Sequence, residues 1–283
     1  MTLSGATRVT ALIGMPARHS LSPAIHNAAF AAAGLDWIFV AFEVADGEVG
    51  RALDGVRAFG IAGLSVTTPH KAGVAAAVDA LSPAAAALNA VNCVVNAQGR
   101  LTGHNTDGEG FVDALRYDGG FEPLGRSCAV IGAGGAARAV IRALATAGAR
   151  EVMVVNRTKS SAAIAAALAG PAGRVVAPEA ISDAELIVNA TSVGMGAGPE
   201  SPVEAAYLRA GQVVADLVYD PVETALLKAA KAVGARPLDG VGMLVHQAAH
   251  AFTLWTGVTA PVEVMAVAAR QRLAQGEKQL NVS

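Results

Sequence analysis

The stretch Cys128-Ala129-Val130-Ile131-Gly132-Ala133-Gly134-Gly135-Ala136-Ala137 decides how this chain folds. Its apolar first half reads as a buried strand, and the Ala-rich run from Gly135 to Ala147 reads as a helix. The glycines between them have the G-x-G-x-x-A spacing of a dinucleotide-binding turn, in the strand-turn-helix setting that gives the spacing its meaning. Glycine keeps such a turn tight and lets backbone N–H groups approach a pyrophosphate, which also lies at the positive end of the helix dipole. The same spacing also fits a merely tight strand-to-helix turn, so its surroundings matter.

On the carboxyl side, strands over 151–155, 186–189 and 213–217 alternate with helices such as 160–168. This rhythm predicts an α/β protein with a Rossmann-like, doubly wound parallel sheet. Where an NAD-preferring site carries Asp or Glu, after the second strand, stand Asn156-Arg157-Thr158-Lys159. A guanidinium and an ammonium there suit the 2′-phosphate of NADP. On the amino side, strands are expected over 9–14, 37–44 and 61–66, with helices over 23–33, 48–58 and 71–77. A hairpin follows, out through 91–96, turning at Ala97-Gln98-Gly99 and returning through 101–103. The turn-rich, polar stretch from Tyr117 to Gly125 reads as the boundary between the two sheets. Helices over 243–255 and 261–273 are expected to pack back on the first domain.

Composition narrows the function classes. The chain has 283 residues, 53% hydrophobic and 16% charged, against roughly 25% charged in an average soluble domain. That excludes intrinsic disorder and gives a prior of about two domains. Its 21 basic and 23 acidic residues leave a net charge of −2 with no basic block, which argues against a nucleic-acid partner. The apolar excess is largely alanine, and no run of about 18 apolar residues is uninterrupted, so no membrane span is expected. No export signal is visible at the start, which makes the cytoplasm the expected location. Cys93 and Cys128 lie in apolar strands and read as reduced, buried thiols.

Three polar clusters fall at strand-to-helix junctions, where open α/β sheets bind ligands. Ser20-Leu21-Ser22-Pro23 precedes a helix, and one serine there is expected as its N-cap. Ser65-Val66-Thr67-Thr68-Pro69-His70-Lys71 gathers hydroxyls and an ammonium after a strand, and Asn105-Thr106-Asp107-Gly108 opens another helix. Taken singly, Lys71 reads as a solvated cation and Asp107 as a cap. If they meet, they make a proton-transfer pair. His246 and His250 share a helical face like a zinc motif, but Gln247 replaces the glutamate such a site needs, and metal is not expected. His19, His26, His70 and His104 are scattered singly and read as caps and local hydrogen-bonding groups.

These motifs together resemble the shikimate dehydrogenase family. The blocks Ile13-Gly14 with Pro16 and His19–Pro23, Val66-Thr67 with Pro69 and Lys71, and Ala90-Val91-Asn92 with Asn105–Gly108 are similar to its substrate and catalytic segments. So are Gly132–Arg138, Asn156-Arg157-Thr158, Asn189–Met195, Tyr219 with Pro221 and Thr224, and Gly240–Gln247 to its remaining blocks. The resemblance implies a substrate-binding and catalytic domain over 1–107, an NADP-binding domain over 108–239, and C-terminal helices over 240–283 that return to the first. It implies Lys71 and Asp107 as the acid/base pair, and these two together with Ser20, Ser22, Ser65, Thr67, Asn92, Tyr219 and Gln247 around the substrate. For NADP it implies Gly132, Ala133, Gly134, Gly135, Ala136, Asn156, Arg157, Thr158, Lys159, Thr191, Ser192, Val193, Leu217, Gly240 and Met243.

Ser65 stands where many members have Asn and others Ser. Ser161 stands where several carry a second phosphate-binding Arg, which leaves the 2′-phosphate to Arg157, Thr158 and Lys159. The activity implied is hydride transfer between NADPH and the C3 carbonyl of 3-dehydroshikimate, an oxidoreductase reaction on a CH–OH group in chorismate and aromatic amino-acid biosynthesis. The expected partners are small molecules, with no nucleic acid and no membrane, and a homodimer stays open. Two rivals remain: a quinate/shikimate or aminoshikimate dehydrogenase of a catabolic or secondary pathway, and a non-catalytic NADP sensor. Retention of both Lys71 and Asp107 weighs against the sensor.

Overall fold

A computed structural model describes residues 3–280. The chain begins with β1 (Arg8–Gly14), α1 (Ser22–Ala32), β2 (Trp37–Glu43), α2 (Val49–Ala58), β3 (Gly63–Val66) and α3 (Lys71–Ala77). It continues with β4 (Ala80–Leu81), α4 (Pro83–Leu88), β5 (Cys93–Ala97), β6 (Arg100–His104) and α5 (Asp107–Tyr117). Then follow β7 (Ser127–Ile131), α6 (Gly135–Thr146), β8 (Glu151–Val155), α7 (Lys159–Ala167), β9 (Gly173–Val175), β10 (Leu186–Asn189) and β11 (Val213–Asp216). The last elements are α8 (Ala225–Ala232), β12 (Arg236–Leu238), α9 (Gly240–Thr256) and α10 (Val262–Leu280).

These elements form two compact units. One holds the residues up to Thr106 and those from Gln247 onward, and the other is Asp107–His246. The first contains a mixed sheet in the order β2-β1-β3-β5-β6-β4, with β1 parallel to β2 and β3, and β5 antiparallel to β3 and β6. The hairpin between β5 and β6 turns at Gln98-Gly99, both at positive φ, a two-residue turn whose twist matches the strands it joins. One face of this sheet packs Ile13, Leu64, Val66 and Val94 against Leu53 and Val74. Elsewhere in the unit Phe30, Phe39, Phe252 and Trp255 bring α1, β2 and α9 together, each such burial contributing about 1.5–3 kcal/mol. α10 lies against α1.

The second unit holds an all-parallel sheet in the order β12-β11-β10-β7-β8-β9. Numbered within the unit this is 6-5-4-1-2-3, the Rossmann order, and it places its switch point between β7 and β10. Alternate residues of its strands enter two different cores. Cys128, Val130, Val152, Val154, Leu186 and Val188 pack with Val140, Ile141 and Leu144 of α6, whereas Ala129, Ile131, Met153, Ile187 and Val214 pack with Leu226 and Ala230 of α8. Burial on both faces is why these strands read as continuous apolar runs.

The units part after Thr106 and after His246, and not at the turn-rich stretch. The stretch 117–125 lies inside the second unit, because α5 belongs to it: Phe111 and Leu115 enter the α6 core, and a Cβ on Gly108 would meet the Ala139 carbonyl oxygen at 2.7 Å. The chain re-enters the first unit within α9. His246 still packs its ring at a tilt against Tyr117 of the second unit, while Trp255 donates from Nε1 to the Val94 carbonyl of the first at 2.9 Å.

Candidate functional site

In the first unit the candidate residues collect where β1, β3, β5 and β6 end or begin. Thr67 N donates to the Ile13 carbonyl at 3.0 Å and Met15 N to the Thr68 carbonyl at 3.0 Å, tying the turn after β1 to the segment that carries Lys71. Val66 N donates to the Asn92 carbonyl at 2.8 Å, and Val91 N to the Lys71 carbonyl at 2.9 Å. Asn92 and the Lys71 turn are therefore held together by the main chain. Lys71, the first residue of α3, is half-buried, while Ser65 is buried within β3.

Asn92 is 4% exposed and acts as a junction. Its Oδ1 accepts from Thr106 N at 2.8 Å, and its Nδ2 donates to Thr106 Oγ1 at 2.9 Å and to Gln247 Oε1 at 3.4 Å. Thr106 Oγ1 donates in turn to the Gln247 carbonyl at 3.0 Å. Two residues distant in sequence, Asn92 and Gln247, are so brought together, with Thr106 fixed immediately before Asp107. Asp107 is buried and opens α5 as its first helical residue, not as a cap.

The serine cluster differs from expectation. Leu21 occupies the N-cap of α1 without a side-chain bond, and Ser20 Oγ instead accepts from Ser22 N at 3.2 Å. The turn before it is clamped by Glu43, which accepts from Ala17 N at 3.2 Å and from Arg18 Nε and Nη2 at 3.0 and 2.7 Å. Hydrogen bonding to Arg18, then to Ala17 N, brings the Glu43 pKa down to about 2. Sequence reading missed this clamp, since Glu43 and Arg18 meet only after β1 and β2 pair.

Of the histidines, His70 Nε2 bonds the Val44 carbonyl at 2.8 Å. His26 is fully buried, stacked on Phe39 at 4.5 Å beside Trp255, and neither ring nitrogen has a protein partner. Burial alone lowers its pKa from 6.5 to about 3. The expected local hydrogen bond is absent because the ring's surroundings are aromatic. Burial likewise pushes the Cys128 thiol up to about 12 and that of Cys93 higher still, and both cysteines are free. Among the described residues no group of three or more His, Cys, Asp or Glu is arranged to hold a metal ion.

In the second unit the glycine turn lies at the switch point. Ile131 pairs with Val155 on one side and Asn189 on the other, so the turns after β7, β8 and β10 are neighbours. Gly132, at φ 115°, could not carry a side chain, since a Cβ would meet the Ala190 carbonyl oxygen at 2.9 Å. Gly134 and Gly135 are different. Neither has a positive φ, and a Cβ on either would meet nothing within 4 Å. The protein itself does not require glycine there, whereas a phosphate approaching the backbone at the start of α6 would. Arg157, Thr158 and Lys159 are exposed, Asn156 Nδ2 holds the turn through the Thr158 carbonyl at 3.1 Å, and the first turn of α7 has no acidic residue.

Thr191, Ser192 and Val193 follow β10, and Leu217 and Tyr219 follow β11. Tyr219 is half-buried, with a pKa raised by burial and then by Asp220. Gly240 and Met243 begin α9, and Met243 packs against the α6 core. Among the substrate candidates, Asp107 and Tyr219 thus belong to the second unit, and Ser20, Ser22, Ser65, Thr67, Lys71, Asn92 and Gln247 to the first.

A parallel sheet in Rossmann order, a glycine turn at its switch point and basic residues after the next strand define a dinucleotide-binding α/β protein with a second, mixed-sheet unit. Similarity to known proteins narrows this. The chain matches the family models described as shikimate dehydrogenase substrate binding domain over residues 12–94, shikimate / quinate 5-dehydrogenase over 121–212, and shikimate 5'-dehydrogenase C-terminal domain over 240–270. It is 45% identical over 274 residues to the shikimate dehydrogenase (NADP(+)) of Moorella thermoacetica, covering 93% of this chain and 92% of that one.

Among solved structures, the shikimate 5-dehydrogenase of Thermus thermophilus in complex with NADP(H) and shikimate superposes with a TM-score of 0.89 at 40% identity, over 94% of this chain and 99% of that one. The quinate dehydrogenase of Corynebacterium glutamicum in complex with NAD reaches 0.86 at 35% identity, over 93% and 98%. This chain belongs to the shikimate dehydrogenase family.

Proposed function

We propose that this chain catalyses the reversible, NADP-dependent reduction of 3-dehydroshikimate to shikimate, in aromatic amino-acid biosynthesis. The observation that carries the reading is the match along 93% of the chain to a relative named shikimate dehydrogenase (NADP(+)). In this reading Ser20, Ser22, Ser65, Thr67, Asn92, Tyr219 and Gln247 hold the substrate's carboxylate and hydroxyls. The turn from Gly132 to Ala136 holds the pyrophosphate, supported by two glycines whose bareness nothing in the protein uses. Arg157, Thr158 and Lys159 hold the 2′-phosphate, with Asn156 bracing their turn. Thr191, Ser192, Val193, Leu217, Gly240 and Met243 complete the cofactor's surroundings.

NADPH, when bound, supplies the hydride that arrives at the substrate's C3 carbon. Lys71 delivers a proton from Nζ to the C3 oxygen as charge builds there, with Asp107 as the second member of the acid/base pair. In the reverse direction Lys71 takes the hydroxyl proton. The residues up to Asp107 serve substrate and catalysis, the following ones serve NADP, and the C-terminal helices complete the first half. A cytoplasmic location and a homodimer belong to this reading. No described helix is long and apolar enough to cross a membrane.

The second reading is a quinate dehydrogenase, favoured by the family model named for both substrates and by the quinate relative. The absence of a carboxylate among Asn156, Arg157, Thr158 and Lys159 weighs against the NAD that accompanies that relative. Initial rates at the reduced-nicotinamide absorbance band, with shikimate or quinate against NADP or NAD, decide between them. Dominant turnover of shikimate with NADP is expected, and dominant quinate with NAD would replace the reading. Light scattering of the purified chain tests the dimer.

A further inference from the structure

Two loops at the carboxyl edge of the second sheet are tied to one buried carboxylate that the proposed chemistry leaves unused. Asn189 and Asp216 end β10 and β11, are direct partners across that parallel pair, and are both buried. Asp216 Oδ1 accepts from Asn189 Nδ2 at 2.8 Å and from Val218 N at 3.0 Å, and its Oδ2 accepts from Thr224 Oγ1 at 2.7 Å. Every neighbour donates, a set that suits the ionised carboxylate. Burial, the larger effect, raises its pKa against the lowering by these three bonds.

Asn189 hands the constraint to the next loop. Its Nδ2 also donates to the Val193 carbonyl at 3.1 Å, and its Oδ1 accepts from Thr191 N at 3.0 Å and Thr191 Oγ1 at 2.7 Å. Val193 N closes the circuit on Thr191 Oγ1 at 3.1 Å. Thr224 in turn caps α8, accepting from Leu227 N at 3.3 Å. An apolar cluster would serve stability as well, whereas a satisfied polar network specifies one geometry. The loop so fixed includes the Ala190 carbonyl that borders Gly132.

We propose that Asp216 is a positioning residue that pre-shapes loops 190–193 and 217–219 for the dinucleotide, acting through Asn189, Val218 and Thr224 without touching the cofactor. The inference rests on reading the second unit as the half that holds NADP.

The test uses the full chain as wild type, Asp216→Asn, Thr224→Val and, as the conservative control, Thr224→Ser. Amide hydrogen exchange of the ligand-free proteins and the NADPH Kd by fluorescence are measured, with kcat and KM for NADP alongside. In Asp216→Asn and Thr224→Val, the amides of Thr191, Val193 and Val218 are expected to exchange about tenfold faster, as local opening becomes easier. Kd and KM for NADP should rise about tenfold, the scale of one lost hydrogen bond to a charged group, with kcat at saturation little changed and Thr224→Ser near wild type.

Unchanged exchange in both variants overturns the proposal. So does faster exchange with an unchanged Kd, which would leave the cluster a purely structural role. A wild-type chain that fails to bind NADPH removes the ligand from the proposal, and the exchange arm, which needs no ligand, distinguishes that failure from a failure of the cluster itself.

Discussion

Replacing His26 by Phe is expected to remove a defined part of the acid sensitivity of this fold. The imidazole is wholly enclosed by Phe30, Phe39 and Trp255, its pKa lowered from 6.5 to about 3 by burial. Between those values the unfolded chain takes up a proton at this site and the folded chain does not, so stability falls as the pH drops through that window. The slope is about 1.4 kcal/mol per pH unit, and integration from about pH 8 to about pH 4.5 gives a loss of about 2.7 kcal/mol from this group.

Urea denaturation followed by far-ultraviolet circular dichroism at the two pH values measures it, in wild type and in His26→Phe. Any packing cost of the larger ring enters at both pH values and cancels in the double difference, as do the other titrating groups. The expected outcome is a pH-dependent loss smaller in His26→Phe by about 2–3 kcal/mol. Equal losses in the two proteins would refute the claim that a neutral His26 is enforced by its aromatic enclosure.

Three further outcomes follow from the candidate site. Lys71→Ala should lower kcat on the order of 10²–10⁴-fold with little change in the KM for shikimate, and a rise in KM alone would show that Lys71 only binds. Arg157→Ala should raise the KM for NADP about tenfold or more while leaving that for NAD unchanged, measured as paired initial rates; a parallel rise in both would remove the 2′-phosphate from its role. Glu43→Gln should raise the KM for shikimate roughly two- to fivefold without altering kcat, because an exposed ion pair that orders the turn before Ser20 contributes modestly. Since the Glu43 pKa is lowered from 4.5 to about 2, its clamp is fully formed above pH 4.5 and is lost only as pH falls through about 2, so this KM difference should be flat across the neutral range.

The parts of the fold legible in the sequence were those with a strong local signal. β8, β10 and α3 fall on the residues expected, since an apolar run bounded by polar turns, or an Ala-rich run behind a Pro, leaves little choice. β4, with two residues, and β12, with three, carry no period to read. α4 and α8 begin with Ser82 and Thr224 caps that were readable, but their six and eight residues are too short to stand out from the surrounding alanine.

The site divides in the same way. The glycine turn announced itself through spacing, whereas Asp216 lies inside the strand expected over 213–217, with nothing local to single it out before β10 brings Asn189 beside it. Likewise Tyr117 to Gly125 has the composition of a linker yet follows a helix whose apolar face belongs to the second unit, a fact set by α6 and invisible locally.

The second unit is one uninterrupted length of chain, while the first is closed by residues from opposite ends of the sequence. This fixes an order of events during synthesis. When the first hundred residues have left the ribosome, Phe30 and β5 still lack Phe252 and Trp255, which are translated more than 150 residues later. The later-made unit has all its strands in hand before the earlier-made one can be finished. A nascent chain therefore exposes an unfinished aromatic surface for most of its elongation, and loss of the final helices would leave the N-terminal sheet without its closing aromatic residues.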